Sequence, residues 1–291
     1  MRDFTYGLEI EISDADTRKT LPKGVSWNNK EDTVVNSSGI GCDPERKDHF
    51  FGGELNTAPT DSIQGQVDIF KQVVLNFPEA TQNYRSSLHV HVSYPKIRES
   101  LEDLQKILKY SYDNHSEVIK RVYNPQIESR MPSSYSALRR SSSSCIPEYK
   151  LKLALEAKTI DEFKKAFATD TRGNYNPRLI RRHYCNLYHV FETDTIEFRC
   201  FFPTLDPRRV EDALIFCKRF ILNALAENGE PVSDIIDDLQ FQKESPFDIN
   251  LEVSFRRNNY SYKLYPDRVY TEESNQEILK NYYKSSGKSL F

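Results

Sequence analysis

The 291-residue sequence lacks a run of apolar residues that approaches the ~18 needed to cross a bilayer, and no secretory signal is recognisable near its start. Its five cysteines are an odd number without a Cys-x-x-Cys spacing, which argues against a disulfide framework and against a thiolate zinc cluster. We therefore expect a cytoplasmic protein without a membrane-bound segment, whose cysteines are buried thiols.

The sequence also lacks an excess of positive charge, since 40 Lys and Arg are balanced by 43 Asp and Glu. The resulting net charge of -3 argues against bulk electrostatic attraction to nucleic acid. With 17 Phe, 17 Tyr and 38% apolar residues, the chain is too hydrophobic for the disordered class. At this length it has enough residues to build a substantial core.

Both common glycine-rich nucleotide motifs are missing. The sequence contains neither the Gly-x-x-x-x-Gly-Lys-Ser/Thr loop nor the Gly-x-Gly-x-x-Gly turn. A P-loop or Rossmann nucleotide site is therefore not expected. If the protein binds ATP, we expect it to do so on a sheet that carries metal ions.

Short alternating runs of apolar and polar residues predict β-strands, and the clearest cover residues 8–12, 52–56, 88–92 and 195–200. Asp206 before Pro207 predicts the start of a helix, because proline lacks the N–H that would have no partner in a first turn. We predict one α+β domain over residues 1–240, with a mostly antiparallel sheet, and a docked C-terminal extension over residues 241–291. The predicted helices cover residues 62–75 and 206–226, with others beginning at Ser100 and after Thr159, where Thr159–Glu162 has the form of a capping box.

The polar residues of the predicted strands share one face of the sheet. Successive strand side chains point to opposite faces, so Leu8, Ile10 and Ile12 oppose Glu9 and Glu11. A solvated outer face would explain any one of these strands. So many carboxylates on one face, however, repel one another unless a cation neutralises them. The other residues that the same alternation assigns to this face are Glu54, Asn56, His89, His91, Glu197 and Arg199.

This set of side chains predicts a metal site beside a phosphate site. Carboxylate oxygens with one or two imidazoles suit Mg²⁺ or Mn²⁺, although a His-x-His strand pair such as His89 and His91 is also found at zinc sites. Arg199 shares its face with Glu197, and a guanidinium fork beside a metal can bind a transferring phosphoryl group. Further arginines that border the Ser- and Pro-containing segments are Arg139, Arg140, Arg178, Arg181 and Arg182.

Two other segments suggest roles of their own. Residues 130–144 end in a run of four serines and are interpreted either as an active-site lid or as a surface loop. Cys185 near His183 is a conceivable nucleophile, but the pattern favours a packed thiol in a strand.

Five motifs, in order, resemble the amidoligases, which are carboxylate–amine ligases with the fold of glutamine synthetase and glutamate–cysteine ligase. The series spans about two thirds of the chain. Its members are Gly7–Glu11, Trp27 with Asp32, Gly53–Pro59, Ser87–Val92, and Tyr184–Leu187 followed by Thr195–Arg199.

The resemblance implies a curved, mostly antiparallel sheet with helices on its convex side, and ATP with Mg²⁺ or Mn²⁺ on the concave polar face. The implied reaction joins a carboxylate and an amine, as small molecules or peptides, through an acyl phosphate. Where the family has Asp-Gly-Ser, this chain has Asp32–Thr33, so Asp48 is a rival for the aspartate position. The implied metal ligands are Glu9, Glu11, Asp32, Glu54, His89 and Glu197; the catalytic residues are Glu9, Glu197 and Arg199; and the nucleotide or substrate contacts are Arg182, Arg199, His91 and Asn186.

Three alternatives to the ligase stay open at this point. A guanidino-group phosphotransferase would use a similar catalytic sheet. A metal-stabilised binding module would keep the ligands without turnover. A zinc hydrolase would use His89 and His91 as ligands.

Overall fold

A computed structural model describes the protein over residues 3–28, 52–80, 86–122, 145–168, 183–226, 229–239 and 241. Within these ranges the chain is an α+β structure with one six-stranded sheet, in which every pair of neighbouring strands is antiparallel. This confirms the predicted fold class at its coarse level. The strands are β1 (Thr5–Ser13), β2 (Val25–Trp27), β3 (Gly52–Thr57), β4 (Leu88–Ser93), β5 (Cys185–Asn186) and β6 (Ile196–Phe201).

The strand order is β2-β3-β1-β4-β6-β5, so β1 and β4 lie at the centre of the sheet. The four runs of alternating residues correspond to β1, β3, β4 and β6. β2 was not predicted, because three residues are too few to show alternation. β3 begins at Gly52 with a positive φ of 81°, and a Cβ there would collide with the carbonyl oxygen of Ile12 on β1.

The helices begin where their capping residues predict. Ser62 and Asp206 are N-caps whose side chains accept hydrogen bonds from the backbone N–H groups of Gly65 and Arg208. The described residues form helices α1 (Ile63–Asn76), α2 (Leu101–Val122), α3 (Glu148–Glu156), α4 (Ile160–Ala168), α5 (His189–Thr193), α6 (Pro207–Leu225) and α7 (Val232–Asp237), with a short 3₁₀ turn at Ile97–Glu99.

The capping box predicted before α4 is only half formed. Thr159 Oγ1 accepts a hydrogen bond from the N–H of Glu162 at 3.2 Å, as the motif requires. The Glu162 carboxylate, however, accepts from the N–H of Lys158 at 2.7 Å instead of from Thr159. The hydrogen bond from the backbone to the Glu162 carboxylate, which a full capping box makes at Thr159, is thus made by the preceding residue.

The apolar face of the sheet and the helices share one hydrophobic core. Phe216 and Phe220 of α6 are fully buried, and the ring of Phe220 lies 5.5 Å from that of Phe198 on β6. The strand residues of this core that are at most 2% exposed are Leu8, Ile10, Ile12, Leu55, Leu88, Val90, Val92, Ile196, Phe198, Cys200 and Phe201.

The predicted extension is represented among the described residues by Phe241, whose ring lies 5.9 Å from that of Phe201. Residues 242–291 and the predicted lid at 130–144 lie outside the described residues. Among the helices of the described ranges, none has the length and apolar character required to span a membrane.

Candidate metal and phosphate site

The strand register places the predicted polar residues side by side across the sheet. Glu9 on β1 is paired with Asn56 on β3 and with His89 on β4. On the other side of β4, His91 is paired with Glu197 on β6. Glu197 is in turn paired with Asn186 on β5. The polar face is thus a continuous surface across five of the six strands.

Most of this polar face is buried, while the side chains of Glu9 and Arg199 are partly exposed. The residues at most 5% exposed are Glu11, Glu54, His89, Asn186 and Glu197. The alternative of a solvated outer face is therefore wrong. Ionised carboxylates that are removed from water need hydrogen-bond donors or cations close by.

Glu9, His89 and Glu197 form the tightest group on this face. His89 Nδ1 lies 2.8 Å from Glu9 Oε2 and 3.4 Å from Glu197 Oε1. One ligand atom from each residue lies within 4.8 Å of the other two, a convergence found at no other group in the described part of the chain. Two carboxylate oxygens and one imidazole nitrogen are a suitable donor set for a divalent cation. These three side chains therefore fit a metal ion.

Glu11 and Glu54 form a neighbouring carboxylate pair. They are opposite each other in the β1–β3 register and lie outside the three-residue group. Asn28 Nδ2 donates to Glu54 Oε1 at 2.5 Å, a contact that the strand pattern did not predict. The predicted ligand set is thus divided between the candidate metal group, formed by Glu9, His89 and Glu197, and a second acidic pair. Asp32 and its rival Asp48 lie outside the described residues.

Arg199 contacts the group from β6. Its Nη1 donates to Glu197 Oε1 at 2.5 Å, and its side chain remains 23% exposed. Burial alone would lower the pKa of Arg199, but Glu197, helped by the charges of Glu9 and Glu11, raises that pKa. Arg199 is therefore a permanent cation beside the carboxylates. Arg182 and the four other predicted arginines lie outside the described residues.

The two carboxylates of the group stay ionised despite their burial. Burial raises the pKa of Glu9, but contacts with His89 and His91 outweigh this effect and hold it below its usual range. Burial also raises the pKa of Glu197, but the charge of Arg199 and a hydrogen bond from His189 hold it well below its usual range. Both side chains can therefore act as anionic ligands at neutral pH.

A cavity of about 300 Å³ lies beside Glu9. His91 lines it, and its predicted contact with a nucleotide or substrate stays a prediction. No lysine or arginine of the described residues lines it. Its volume lies at the lower end of the range for ligand pockets. Side chains that line it include Asn56, His189, Thr193 and Thr195.

The chain matches no protein-family model, no curated protein and no solved structure. The resemblance to amidoligases therefore depends on its five motifs. The structure adds that the charged residues of four of these motifs lie together on one buried face.

His189 is a site residue that the sequence analysis missed. Its Nε2 lies 3.1 Å from Glu197 Oε2, and its ring is nearly perpendicular to that of His91, with the ring centroids 5.5 Å apart. The signal that could have revealed it is topological. Residues 187–195 join two neighbouring antiparallel strands, so the helix in this connection has to lie near the strand ends.

Asn186 and Cys185 form the short strand β5 and are both buried. Asn186 is fully buried, donates to Glu197 Oε2 at 2.9 Å and accepts from the N–H of Tyr188 at 3.1 Å. It therefore orients Glu197. Asn186 is not among the residues that line the cavity, and its predicted nucleotide contact stays a prediction. Burial raises the pKa of the Cys185 thiol well above its usual range, so this cysteine is a packed thiol and not a nucleophile.

The two histidines of the His-x-His pair have different positions. His89 belongs to the candidate metal group of Glu9, His89 and Glu197, whereas His91 does not. His91 Nε2 lies 3.0 Å from Glu9 Oε1, and its Nδ1 is 3.0 Å from Thr195 Oγ1. Burial would lower the pKa of His91, but Glu9 reverses this effect and raises it. This arrangement disfavours a zinc hydrolase in which both rings ligate one ion.

Proposed function

We propose that the protein is an ATP-dependent carboxylate–amine ligase that uses Mg²⁺ or Mn²⁺. The observation that carries this proposal is the convergence of Glu9, His89 and Glu197, with Arg199 in contact with Glu197. Anionic oxygens and an imidazole suit a divalent cation, and an adjacent guanidinium suits the phosphate that such a cation accompanies. We also propose that the sheet is curved, with its polar face concave and its helices on the convex side.

The charge on the polar face supports a cation-dependent activity. Glu9, Glu11, Glu54 and Glu197 are carboxylates on one buried or half-buried surface. Burial lowers the pKa of His89, with the charge of Arg199 acting in the same direction, so this imidazole does not neutralise them. Removing so many like charges from water is unfavourable unless cations accompany them.

In the proposed site, Glu9, His89 and Glu197 would hold one cation, and Glu11 and Glu54 would hold a second. When bound, such cations neutralise phosphate charge and make the γ-phosphorus more electrophilic. Arg199 binds the phosphate oxygens through its guanidinium fork, and Glu197 keeps that fork in place. His91 contacts the nucleotide from the wall of the cavity.

The proposed reaction has two steps. A carboxylate oxygen of the acid substrate forms a bond to the γ-phosphorus, and ADP leaves. The amine nitrogen then bonds to the carbonyl carbon of the acyl phosphate, phosphate leaves, and the nitrogen loses a proton. Burial of the polar face limits the access of water, which would otherwise hydrolyse the acyl phosphate.

The experiment that tests this proposal supplies the full chain with Mg²⁺, ATP and a mixture of amines and carboxylates. ADP is measured by chromatography, and coupled products are identified by mass spectrometry. We expect ADP and an amide, and we expect Glu9→Gln, Glu54→Gln and Glu197→Gln each to abolish both. Glu102→Gln is the matched control, because Glu102 is exposed on α2 and contacts only Lys106 among the described ion pairs.

Other products would identify the alternatives. A phosphorylated product without an amide indicates a phosphotransferase. ATP and metal binding without any ADP indicates a binding module. Near-normal turnover in all three glutamine variants contradicts the metal assignment.

A further inference from the structure

Gly7 is a glycine that the backbone does not require. It lies within the central strand β1, opposite His91 of β4, and its φ is outside the left-handed region. A Cβ at this position would lie 3.7 Å from His91 Cβ and 4.0 Å from the carbonyl oxygen of Thr57, which are ordinary contact distances. A glycine inside a strand is less favourable for stability than an alanine, because it loses more conformational freedom on folding. The fold would therefore accept a side chain at Gly7.

The missing side chain of Gly7 leaves space in the cavity of about 300 Å³. Gly7 lines this cavity, as do Thr5 and Glu9 of the same strand. Because residues two apart in a strand share a face, a Cβ on Gly7 would point to the polar face and reduce the cavity. Glycine inside a strand is often found where a ligand approaches the backbone closely.

The cavity lies where β3 separates from β1. Their regular pairing ends at Glu9 and Asn56. The next contact is between Tyr6 and Thr60, which exchange backbone hydrogen bonds at 2.8 and 2.9 Å, so the β3 side has one residue more in this interval. Gln66 of α1, which is fully buried, bridges the two sides by donating to one backbone carbonyl on each, at 2.6 and 2.8 Å. The opening is therefore held by hydrogen bonds of the protein itself.

The groups that the cavity offers to a ligand are mainly uncharged. The described residues that line it include no lysine or arginine, and the carboxylate of Glu9 is already in contact with His89 and His91. Asn56 lines the cavity, and its Oδ1 is buried without a hydrogen-bond partner among the described residues. A buried acceptor without a partner is costly, and an N–H or O–H group of a ligand would satisfy it. These surroundings disfavour a phosphate or a carboxylate and favour an uncharged donor.

We propose that Gly7 is a specificity-determining residue, which keeps the cavity open for an uncharged substrate group that carries an N–H or O–H donor. A larger residue at position 7 would exclude this group by its size, and Asn56 would select it by accepting its hydrogen bond. The open cavity and its selectivity are properties of the protein alone, whereas the reaction in which they act rests on the proposed ligase function.

The test measures binding and folding on the full chain and on its variants Gly7→Ala and Gly7→Val. Chemical-shift titrations of the ¹⁵N-labelled proteins use propionamide as the uncharged probe, with propylammonium and propionate as charged probes of similar size. We expect the wild type to bind propionamide more tightly than either ion. Gly7→Val should weaken this binding at least about tenfold, with Gly7→Ala between the two. The matched control is Ser26→Thr, which adds one methyl group at an exposed position of β2 outside the cavity lining and should bind as the wild type does.

Thermal unfolding separates a role in binding from a role in folding. We expect Gly7→Ala to keep the wild-type Tm or to raise it by about 1–3 °C, because alanine restricts the unfolded chain. A Tm of Gly7→Ala clearly below that of the wild type would show that the fold needs this glycine, and would overturn the inference. So would a wild type that does not bind propionamide, tighter binding of propionate, or equal affinities for propionamide in the wild type and both Gly7 variants.

Turnover distinguishes this inference from the proposed function. If the wild type forms ADP and an amide, and the KM of every substrate is unchanged in both Gly7 variants, the ligase is supported and the inference is contradicted. If propionamide binding depends on Gly7 but the wild type consumes no ATP, the inference is supported and the ligase is contradicted.

Discussion

Replacing Glu197 by glutamine tests the candidate metal group of Glu9, His89 and Glu197 through the stability of the protein. The substitution keeps the shape of the side chain but removes one of the two anionic ligands that converge with His89. It leaves the apolar core untouched, because Glu197 is on the opposite face of β6 from Phe198. We therefore expect the folded variant to lose the stabilisation that a divalent cation provides.

The size of this effect follows from the linkage between binding and folding. At a metal concentration 100 times the dissociation constant, the wild type gains about 2.7 kcal/mol in free energy of unfolding. For a chain of this size this raises the Tm by roughly 5 to 10 °C. If loss of one of three ligands weakens binding about 100-fold, the same metal concentration stabilises the variant by only about 0.4 kcal/mol, or about 1 °C.

The assay is calorimetric unfolding with and without Mg²⁺ or Mn²⁺, after chelation and dialysis. Glu102→Gln, the exposed control on α2, is expected to show the wild-type increase in Tm. Equal increases in wild type and Glu197→Gln would show that the cation binds elsewhere. If the Tm of the wild type does not increase even at metal concentrations that saturate typical Mg²⁺ sites in proteins, the inference that the buried carboxylates bind a cation is refuted.

Three further predictions concern the fold around the site. Phe220→Ala should lower the free energy of unfolding by about 3–5 kcal/mol, since Phe220 is fully buried; Leu222→Ala, at a 40% exposed position of the same helix, should change it by less than about 1 kcal/mol in urea titrations. Burial raises the pKa of Cys185 and Cys217 well above its usual range, so iodoacetamide at neutral pH should modify both only after denaturation, as peptide mass spectrometry would show. Ser62→Ala should cost about 1 kcal/mol through loss of the N-cap of α1, measured by the same urea titrations.

The sequence predicted which residues share a face, because the alternation of side chains along a strand is a local property. Glu9, His89 and Glu197 were assigned to one face in this way, and all three lie on it. The helix starts at Ser62 and Asp206 were predictable for a similar reason, since a cap depends on a few neighbouring residues.

The sequence could not predict which residues of that face meet, because this depends on strand order and register. The pairing of β4 with β6 is irregular between Leu88 and Val90, where one residue of β4 faces two residues of β6. With this register, His89 Nδ1 reaches both Glu9 and Glu197, while His91 is directed to Thr195. The alternation of side chains assigns His89 and His91 to the same face and does not distinguish them, whereas in the structure they contact different residues.

The residues that complete the site come from connections between strands, where no periodic pattern exists. Asn28 follows β2 and donates to Glu54, and His189 belongs to the connection between β5 and β6. Each reaches its carboxylate only after the sheet has assembled. Their contribution is therefore a property of the tertiary structure, and the residue types alone carry no signal of it.

The net charge of -3 conceals an uneven distribution, because four carboxylates of this nearly neutral chain share one face of the sheet. Glu9 and Glu197 are held in their ionised form by neighbours that are themselves constrained: Arg199 by Glu197, and His91 by Glu9 and Thr195. Such a network gains little stability from burying its charges, because desolvation offsets most of the attraction between them. In the proposed ligase, a bound cation would offset this cost of desolvation. The cavity, which has Glu9 in its wall, would then hold the part of the substrate that accompanies the cation.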